Sequence, residues 1–381
     1  MTPPPSPPSR VLAVYGTRPE AIKMAPVLAA LARRPERFAV RVCTTGQHRE
    51  MLDQVQDLLG LRPDLDLRLM RPDQTLNGLT AAALAAIDGV LATESPDWLL
   101  VQGDTTTAMA AALAAFHRRI RVGHVEAGLR TGDLRRPFPE EANRRIVDLL
   151  ADALFAPTAR ARDTLLAEGS DPARVHVVGN TVIDALGTIA GELSDSPDSG
   201  RITGRTEVLV TVHRRESFGA PLIEIFSALR RLAESFPDVD WIYPVHRNPN
   251  VQGPAREILG GLPNLHLHEP FDYRELVRRL MRCRFALTDS GGIQEEAPTF
   301  GKPVLVLRET TERPEGIEAG VARLVGADRE TIFAEASRLL TSQTAYLAMA
   351  RAGNPYGDGH AGERIAAILA GEPWTPFTPA S

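Results

Sequence analysis

The chain has 381 residues, 43 basic against 48 acidic side chains, a net charge of −5 at pH 7, and 43% hydrophobic and 24% charged residues. Such a length exceeds what one ordinary core serves and such an apolar fraction excludes disorder, so two domains of a soluble protein are expected. The mixed, slightly acidic charge excludes a broad basic surface for nucleic acid or anionic membrane, which leaves any phosphate to a local site. The two cysteines, Cys43 and Cys283, lie far apart in no paired motif. That argues against a disulfide framework or a zinc cluster and fits a reducing, cytoplasmic setting.

The opening MTPPPSPPSR lacks the apolar core of a signal peptide, and its prolines disfavour helix and sheet, so residues 1–9 read as a disordered tail. Apolar runs such as Met24 to Ala32 and Leu79 to Ile87 fall short of the roughly 18 to 20 residues that cross a bilayer. No transmembrane segment is expected. Of the 43 basic residues only Lys23 and Lys302 are lysines, a mild hint that an ammonium is wanted at those places.

Short β-branched or apolar runs then alternate with longer stretches of helical period, the pattern of βαβ units that build parallel sheets. Strands are predicted from Val11, Val40, Trp98, Arg121, Ala153 and Val175, with helices between them. A polar stretch, Gly191 to Glu207, has the composition of a linker. A second series of strands begins at Val208, Asp240, Leu265, Phe285, Pro303 and Val321. Two doubly wound α/β domains in tandem follow, and in such sheets ligands bind beyond the carboxyl ends of the strands.

The first such end reads G-T-R-P-E-A-I-K, Gly16 to Lys23. Thr17 and Glu20 form a capping box around Pro19, so Arg18 and Lys23 sit at or near a helix N-terminus that favours an anion; the alternative is a helix cap with two surface cations. The next candidate is G-D-T-T-T, where Asp104 is either functional or simply a helix N-cap. G-H-V-E-A-G-L-R-T-G-D and R-R-P-F-P-E-E-A-N-R-R bring His124, Glu126, Glu140 and Glu141 toward the same sheet edge. Carboxylates crowded together suit acid and base work, although a structural network with Arg130, Arg135, Arg136, Arg144 and Arg145 would also fit.

In the second series H-R-R-E-S (His213 to Ser217) and Y-P-V-H-R-N-P (Tyr243 to Pro249) each follow a strand. One histidine there is usually structural; two in corresponding places favour function. T-D-S-G-G-I-Q-E-E, Thr288 to Glu296, joins a strand end to two glycines and a helix start, with Ser290 adding a hydroxyl. This describes a pyrophosphate cradle with Glu296 placed to accept ribose hydroxyls, against the alternative of a glycine-containing helix cap. Gly357 to Gly362 matches G-x-G-x-x-G but follows no strand, so it reads as a hinge opening the last helix, and no bound NAD is expected. No motif for a metal or a Walker-type phosphate loop occurs in the sequence.

Taken together, GTRPEAIKMAP, TGQHREML, GDTTT, VGHVEAGLRTGD, PFPEEANR, GNTVIDAL, HRRES, YPVHRNPN, LTDSGGIQEEAP, GKPVLVLR, TTERPEG and NPYGDG closely resemble the non-hydrolysing UDP-N-acetylglucosamine 2-epimerases. The resemblance runs from Arg10 to the final helix. It implies the GT-B architecture: Rossmann-like domains over residues 10–179 and 180–361, an active site in the cleft between them, and a C-terminal helix within 362–381 that crosses back to the first domain. It also implies epimerisation at carbon 2 by elimination of UDP to 2-acetamidoglucal and re-addition, with no cofactor and no metal, serving cell-surface polysaccharide.

By the same resemblance Asp104, Glu126 and Glu140 are the acid/base set, and His213 stabilises the leaving phosphate. Arg18, Lys23, Ser290, Gly291, Gly292, Glu296 and Arg313 form the UDP site. The family usually dimerises, which implies a homodimer. Gln47, Glu140, Arg214 and His246 match positions at which some bacterial members bind a second substrate molecule as an allosteric activator. Glu50 and Asp73 stand where those members carry Gln and Arg, and Asp73 would repel a phosphate that an arginine holds. A GT-B glycosyltransferase, a hydrolysing epimerase and a sugar-nucleotide sensor are the alternatives; intact Asp104, Glu126, Glu140 and His213 speak against the sensor.

Overall fold

The computed structural model describes residues 7–46, 49–71, 73–194 and 204–379. These divide into two compact units, one of residues up to Ala185 together with Gly357–Thr378, the other of Leu186–Tyr356 with the last residues of the chain.

The first unit is built on strands β1 (Ser9–Tyr15), β2 (Phe38–Thr44), β3 (Leu65–Asp66), β4 (Trp98–Gln102), β5 (Arg121–Val125), β6 (Ala153–Ala156) and β7 (Val175–Val177). They form one sheet in the order β3-β2-β1-β4-β5-β6-β7, parallel throughout. The strand order reverses direction between β1 and β4, the switch point at which a doubly wound sheet opens toward a ligand. Leu12, Val14, Leu99, Val101, Val122 and Leu154 fill the core with the alanine face of the helix Thr106–His117, whose small side chains let it lie close to the strands.

The second unit carries β8 (Thr206–Thr211), β9 (Val239–Pro244), β10 (Leu265–His268), β11 (Ala286–Thr288), β12 (Val304–Val306) and β13 (Ala322–Leu324). Their order is β10-β9-β8-β11-β12-β13, again parallel, with the switch between β8 and β11. Trp241, Phe226, Tyr243 and Phe285 are fully buried in its core.

All twelve predicted strands are present, and the two-residue β3 was not foreseen because Leu65–Asp66 is too short to show an alternation. Three readings need correction. Ser9 belongs to β1, since its N–H donates to the Arg37 carbonyl (2.8 Å), so the tail is shorter than nine residues. The linker-like stretch is shorter too: Gly191 to Ser194 complete the helix Thr181–Ser194, and Thr206 and Glu207 already lie in β8. Leu79 to Ile87 belongs to a longer helix, Leu76–Glu94, whose 19 residues and mean hydropathy of 1.4 match a bilayer span by length and composition alone. Its buried residues Leu79, Ala83, Ile87 and Leu91 follow i, i+4 spacing, and the helix packs on Thr106–His117, as a core helix does.

The last helix, Ala361–Ala370, packs within the first unit against the helix Arg18–Ala32. A Cβ on Gly362 would stand 2.6 Å from the Pro26 carbonyl oxygen, so this glycine serves helix-to-helix approach. Asp184 accepts the Gly362 N–H (2.8 Å), and Arg34 pairs with Glu363 (2.9 Å) and Glu372 (3.5 Å).

Candidate active site

Six turns at the carboxyl ends of strands carry most of the residues singled out above. After β1, Thr17 caps the helix Arg18–Ala32 and Glu20 completes the capping box, as the spacing predicted. Glu20 reaches further than the box: it is 1% exposed, its Oε2 accepts from the N–H of Gly16 (3.0 Å) and Thr17 (2.7 Å), and its Oε1 accepts from the Thr105 hydroxyl (2.7 Å). Burial pushes the Glu20 carboxyl up while these hydrogen bonds oppose the shift. One buried carboxylate thereby fastens the β1 turn to the β4 turn. Gly16 must be glycine, because a Cβ would lie 2.3 Å from Thr45 Oγ1 and 2.7 Å from Thr107 Oγ1. Arg18 is half-buried and has no ion pair among the described residues.

After β4 the cap reading of Asp104 fails: Thr105 is the N-cap of the helix Thr106–His117 and accepts from Ala108 N–H (3.1 Å). The Asp104 side chain instead forms an ion pair with Arg144, and its carbonyl accepts from Asn143 Nδ2 (2.9 Å). After β5, Glu126 adopts a left-handed backbone, φ 70°, an uncommon conformation for a non-glycine residue that concentrates at functional sites. Its Oε2 meets Lys23 Nζ at 2.5 Å and also accepts from Gln102 Nε2. Lys23 is therefore placed with the carboxylates.

Glu140 opens the helix Glu140–Leu150, whose next turn supplies Asn143 and Arg144 to Asp104. Its Oε2 is buried with no hydrogen-bond partner among the described residues, an exception to the usual satisfaction of buried polar atoms. Glu141, in contrast, is fully buried in structural bonds, accepting the Thr131 N–H (3.1 Å) and pairing with Arg145 (3.0 Å). His124 is fully buried as well, between Asp148 and the Gly103 carbonyl.

In the second unit Asp289 organises the site, and the sequence reading passed over it. Its signal was an acidic residue lodged between a strand end and Ser-Gly-Gly. Asp289 is fully buried, accepts from the N–H groups of His213 (2.9 Å) and Arg214 (2.8 Å) and from the Ser217 hydroxyl (3.2 Å), and stands 3.4 Å from His213 Nδ1. The His213 ring stacks on His246 with centroids 5.7 Å apart. Burial depresses the His213 pKa; the Asp289 charge opposes this, and His246 and Arg214 reinforce it.

Two guanidinium groups lie over Gly291: a Cβ there would be 3.2 Å from Arg313 Cζ and 3.4 Å from Arg214 Nη2. Arg313 is held by Glu295 (2.8 Å), and Arg214 stands 3.9 Å from Glu312. Burial would raise the Glu312 carboxyl, but its bonds to Arg308 and the charges of Arg308 and Arg313 hold it down at about 2. Ser290 precedes the short helix Gly291–Glu296 without making a side-chain cap bond, and Glu296 accepts from the Tyr273 hydroxyl at 3.4 Å. A Cβ on Gly292 would lie 3.6 Å from Glu296 Oε1 and 3.8 Å from Ser290 Oγ.

Lys23, Asp104 and Glu126 thus gather in the first unit, and His213, Arg214, His246, Gly291 and Arg313 in the second. Gln47 lies outside the described residues, as does the Glu50 side chain, while Asp73 is exposed with φ 54°. Among the described residues no group of three or more His, Cys, Asp or Glu side chains is arranged to hold a metal ion.

Two parallel-sheet units with charged turns at their strand ends define a GT-B α/β protein. A glycosyltransferase of kitacinnamycin, 15% identical over 96% of this chain and 99% of its own, shares that fold with a TM-score of 0.64. Residues 29–370 match the family model described as UDP-N-acetylglucosamine 2-epimerase, and this chain belongs to that family. The UDP-N-acetylglucosamine 2-epimerase of Yersinia pestis is 51% identical over 369 residues, covering 94% of this chain and 98% of its own. The crystal structure of the Neisseria meningitidis UDP-GlcNAc 2-epimerase bound to UDP-GlcNAc superposes with a TM-score of 0.89 at 43% identity, covering 95% of this chain and all of that one.

Proposed function

We propose that this chain is a non-hydrolysing epimerase that interconverts UDP-N-acetylglucosamine and UDP-N-acetylmannosamine. Carbon 2 of the sugar bears an acetamido group and no adjacent carbonyl, so its proton is too weakly acidic for simple removal and return. A carboxylate of the first unit takes that proton as the bond from carbon 1 to the UDP oxygen breaks, leaving 2-acetamidoglucal and UDP. Re-addition of UDP with protonation of the opposite face completes the inversion.

The observation that carries this reading is the grouping of Lys23, Asp104, Glu126 and Arg144 at adjoining strand ends of one sheet. Asp104, Glu126 and Glu140 are the acid/base set, and the orphaned oxygen of Glu140 leaves it able to take or give a proton. His213, with Arg18, Lys23 and Arg313, stabilises negative charge that develops on the departing diphosphate. Ser290, Gly291 and Gly292 receive the phosphates and Glu296 the ribose. Lys23 has a second task, orienting Glu126. The enzyme acts as a homodimer, needs no metal or organic cofactor, and supplies UDP-N-acetylmannosamine for surface polysaccharide.

Proton NMR of the purified protein with UDP-N-acetylglucosamine in heavy water tests the reading. Expected is UDP-N-acetylmannosamine carrying deuterium at carbon 2. Release of free N-acetylmannosamine would establish the hydrolysing reaction instead, and an unchanged spectrum would refute both.

A further inference from the structure

His124 lies in β5, two residues before Glu126, and is fully buried. Its Nδ1 is 2.6 Å from Asp148 Oδ1 and its Nε2 is 2.8 Å from the Gly103 carbonyl oxygen. A carbonyl oxygen only accepts, so Nε2 carries a hydrogen. Asp148 faces two further donors: its Oδ2 takes the Gly128 N–H (3.3 Å) and Arg130 Nη1 (2.8 Å), and Arg130 is itself held by Glu168 (2.7 Å). The same carboxylate is paired with the Arg130 guanidinium and also takes a backbone N–H, the surroundings of an ionised group. An ionised Asp148 also accepts only. Both ring nitrogens of His124 therefore donate, and the ring is cationic.

The groups fixed by this cation are the ones that matter for the reaction. Gly103 precedes Asp104 and has φ 70°, so the hydrogen bond to its carbonyl sets the peptide from which Asp104 departs. Asp148 comes from the helix Glu140–Leu150 and through Gly128 and Arg130 grips the turn that begins at Glu126. The charged groups around the ring are thus Asp148 from that helix, Arg130 from the β5 turn and Glu168 at the end of the helix Ala159–Ala167; the turn after β4 contributes the Gly103 carbonyl.

We propose that His124 is a positioning residue: a buried imidazolium that aims Asp104 through the Gly103 carbonyl and, through Asp148, locks that turn to the one carrying Glu126. The inference rests on Asp104 and Glu126 being the acid/base groups. His124 and Asp148 are both buried, so the effect of changing them falls on turnover and not on UDP binding.

The test uses the full-length enzyme with UDP-N-acetylglucosamine, together with His124→Phe, His124→Gln and Asp148→Asn. A displacement of about 1 Å at a reacting group costs on the order of 100-fold, so His124→Phe lowers kcat by about that factor while KM and the UDP Kd by calorimetry stay within about threefold. His124→Gln, which can again donate to Gly103, recovers about tenfold of this loss. Nitrogen-15 NMR of histidine-labelled native enzyme at neutral pH shows one ring with both nitrogens protonated, absent in His124→Gln and converted to a singly protonated ring in Asp148→Asn. A folded His124→Phe enzyme with native kcat overturns the inference, and so does a bare nitrogen on the native His124 ring, which decides the matter should His124→Phe fail to fold. Failure of the native chain to epimerise would refute the functional reading itself, a result separable from either of these.

Discussion

The two units support their charged groups with opposite polarity. In the first, carboxylates proposed for proton transfer are each held by a cation: Glu126 by Lys23 and Asp104 by Arg144. In the second, His213, Arg214 and Arg313 are each held by a carboxylate: Asp289 beneath His213, Glu312 beside Arg214, Glu295 against Arg313. The same fold, with the same kind of turn at the same end of a parallel sheet, carries cation-supported carboxylates in one case and carboxylate-supported cationic side chains in the other, matching the proton-transfer and diphosphate roles proposed for them. The sign of the supporting charge makes the difference. A cation beside a carboxylate keeps it ionised, and a buried anion beneath a histidine favours its charged form.

Breaking the first unit's side of this contrast has the largest effect. Asp104→Asn removes a proton-transferring group while keeping its shape, and such groups contribute roughly 10²- to 10⁴-fold, so turnover falls by about 10³. Calorimetry should find UDP bound as before; near-native turnover would sink the assignment of Asp104. On the second side, Asp289→Asn sets an amide against the N–H groups of His213 and Arg214, which Asp289 now accepts. A turn displaced in this way costs about tenfold to 100-fold in kcat. Because the Asp289 charge favours protonated His213, its loss moves the His213 limb of the pH–rate profile to lower pH. An unmoved limb would show that Asp289 supports the backbone alone.

Much of this contrast was legible in the sequence. The twelve strands declared themselves by β-branched runs, the capping box by Thr17 and Glu20 at their spacing, and the candidate site residues by their place after strands. The supports were less legible, because a supporting side chain is defined by what lies opposite it in space. Asp289 looked like part of a loop until three donors converged on it. Asp104 and Thr105 are both good caps by residue type, and only the backbone decides that Thr105 takes the role. Glu140 and Glu141 are adjacent in sequence yet part company because a helix points neighbours in different directions, one to an orphaned position and one into a cluster of arginines. Pairings such as Lys23 with Glu126 span about a hundred positions, and no local pattern encodes them.

A smaller effect is expected where the chain closes the first unit. Gly362→Ala would place a methyl group 2.6 Å from the Pro26 carbonyl oxygen, in a helix contact with no room to give. Overpacking of this kind costs about 2 kcal/mol, seen as a lowered midpoint in urea with an unchanged slope. Most of the proposed phosphate and ribose contacts belong to the second unit, which has no part in this helix contact, so UDP affinity of the folded protein should change by less than about threefold. A native midpoint would mean that the two helices can separate without cost.

The smallest effect comes from Asp184, which receives the Gly362 N–H at the start of that same helix. Burial raises its pKa from 3.8 to about 6; the bonds from Gly362 and Ala361 oppose the shift and the charge of Asp358 adds to it. Below the lower value both folded and unfolded chains hold this proton, and the contribution to stability is complete. Between the two values the unfolded chain has released it and the folded chain has not, so stability falls as pH rises, and the loss is complete above about 6. Asp184→Asn still offers an oxygen to Gly362 but cannot ionise, and so lacks this slope. The stability of the variant relative to the native protein should therefore grow by about 1 kcal/mol between acid and neutral pH, an amount below the full shift because Asp184 retains some contact with water. Urea titrations at several pH values read this difference directly, and parallel stability curves for the two proteins would show that the Asp184 carboxylate ionises as freely in the fold as in the unfolded chain.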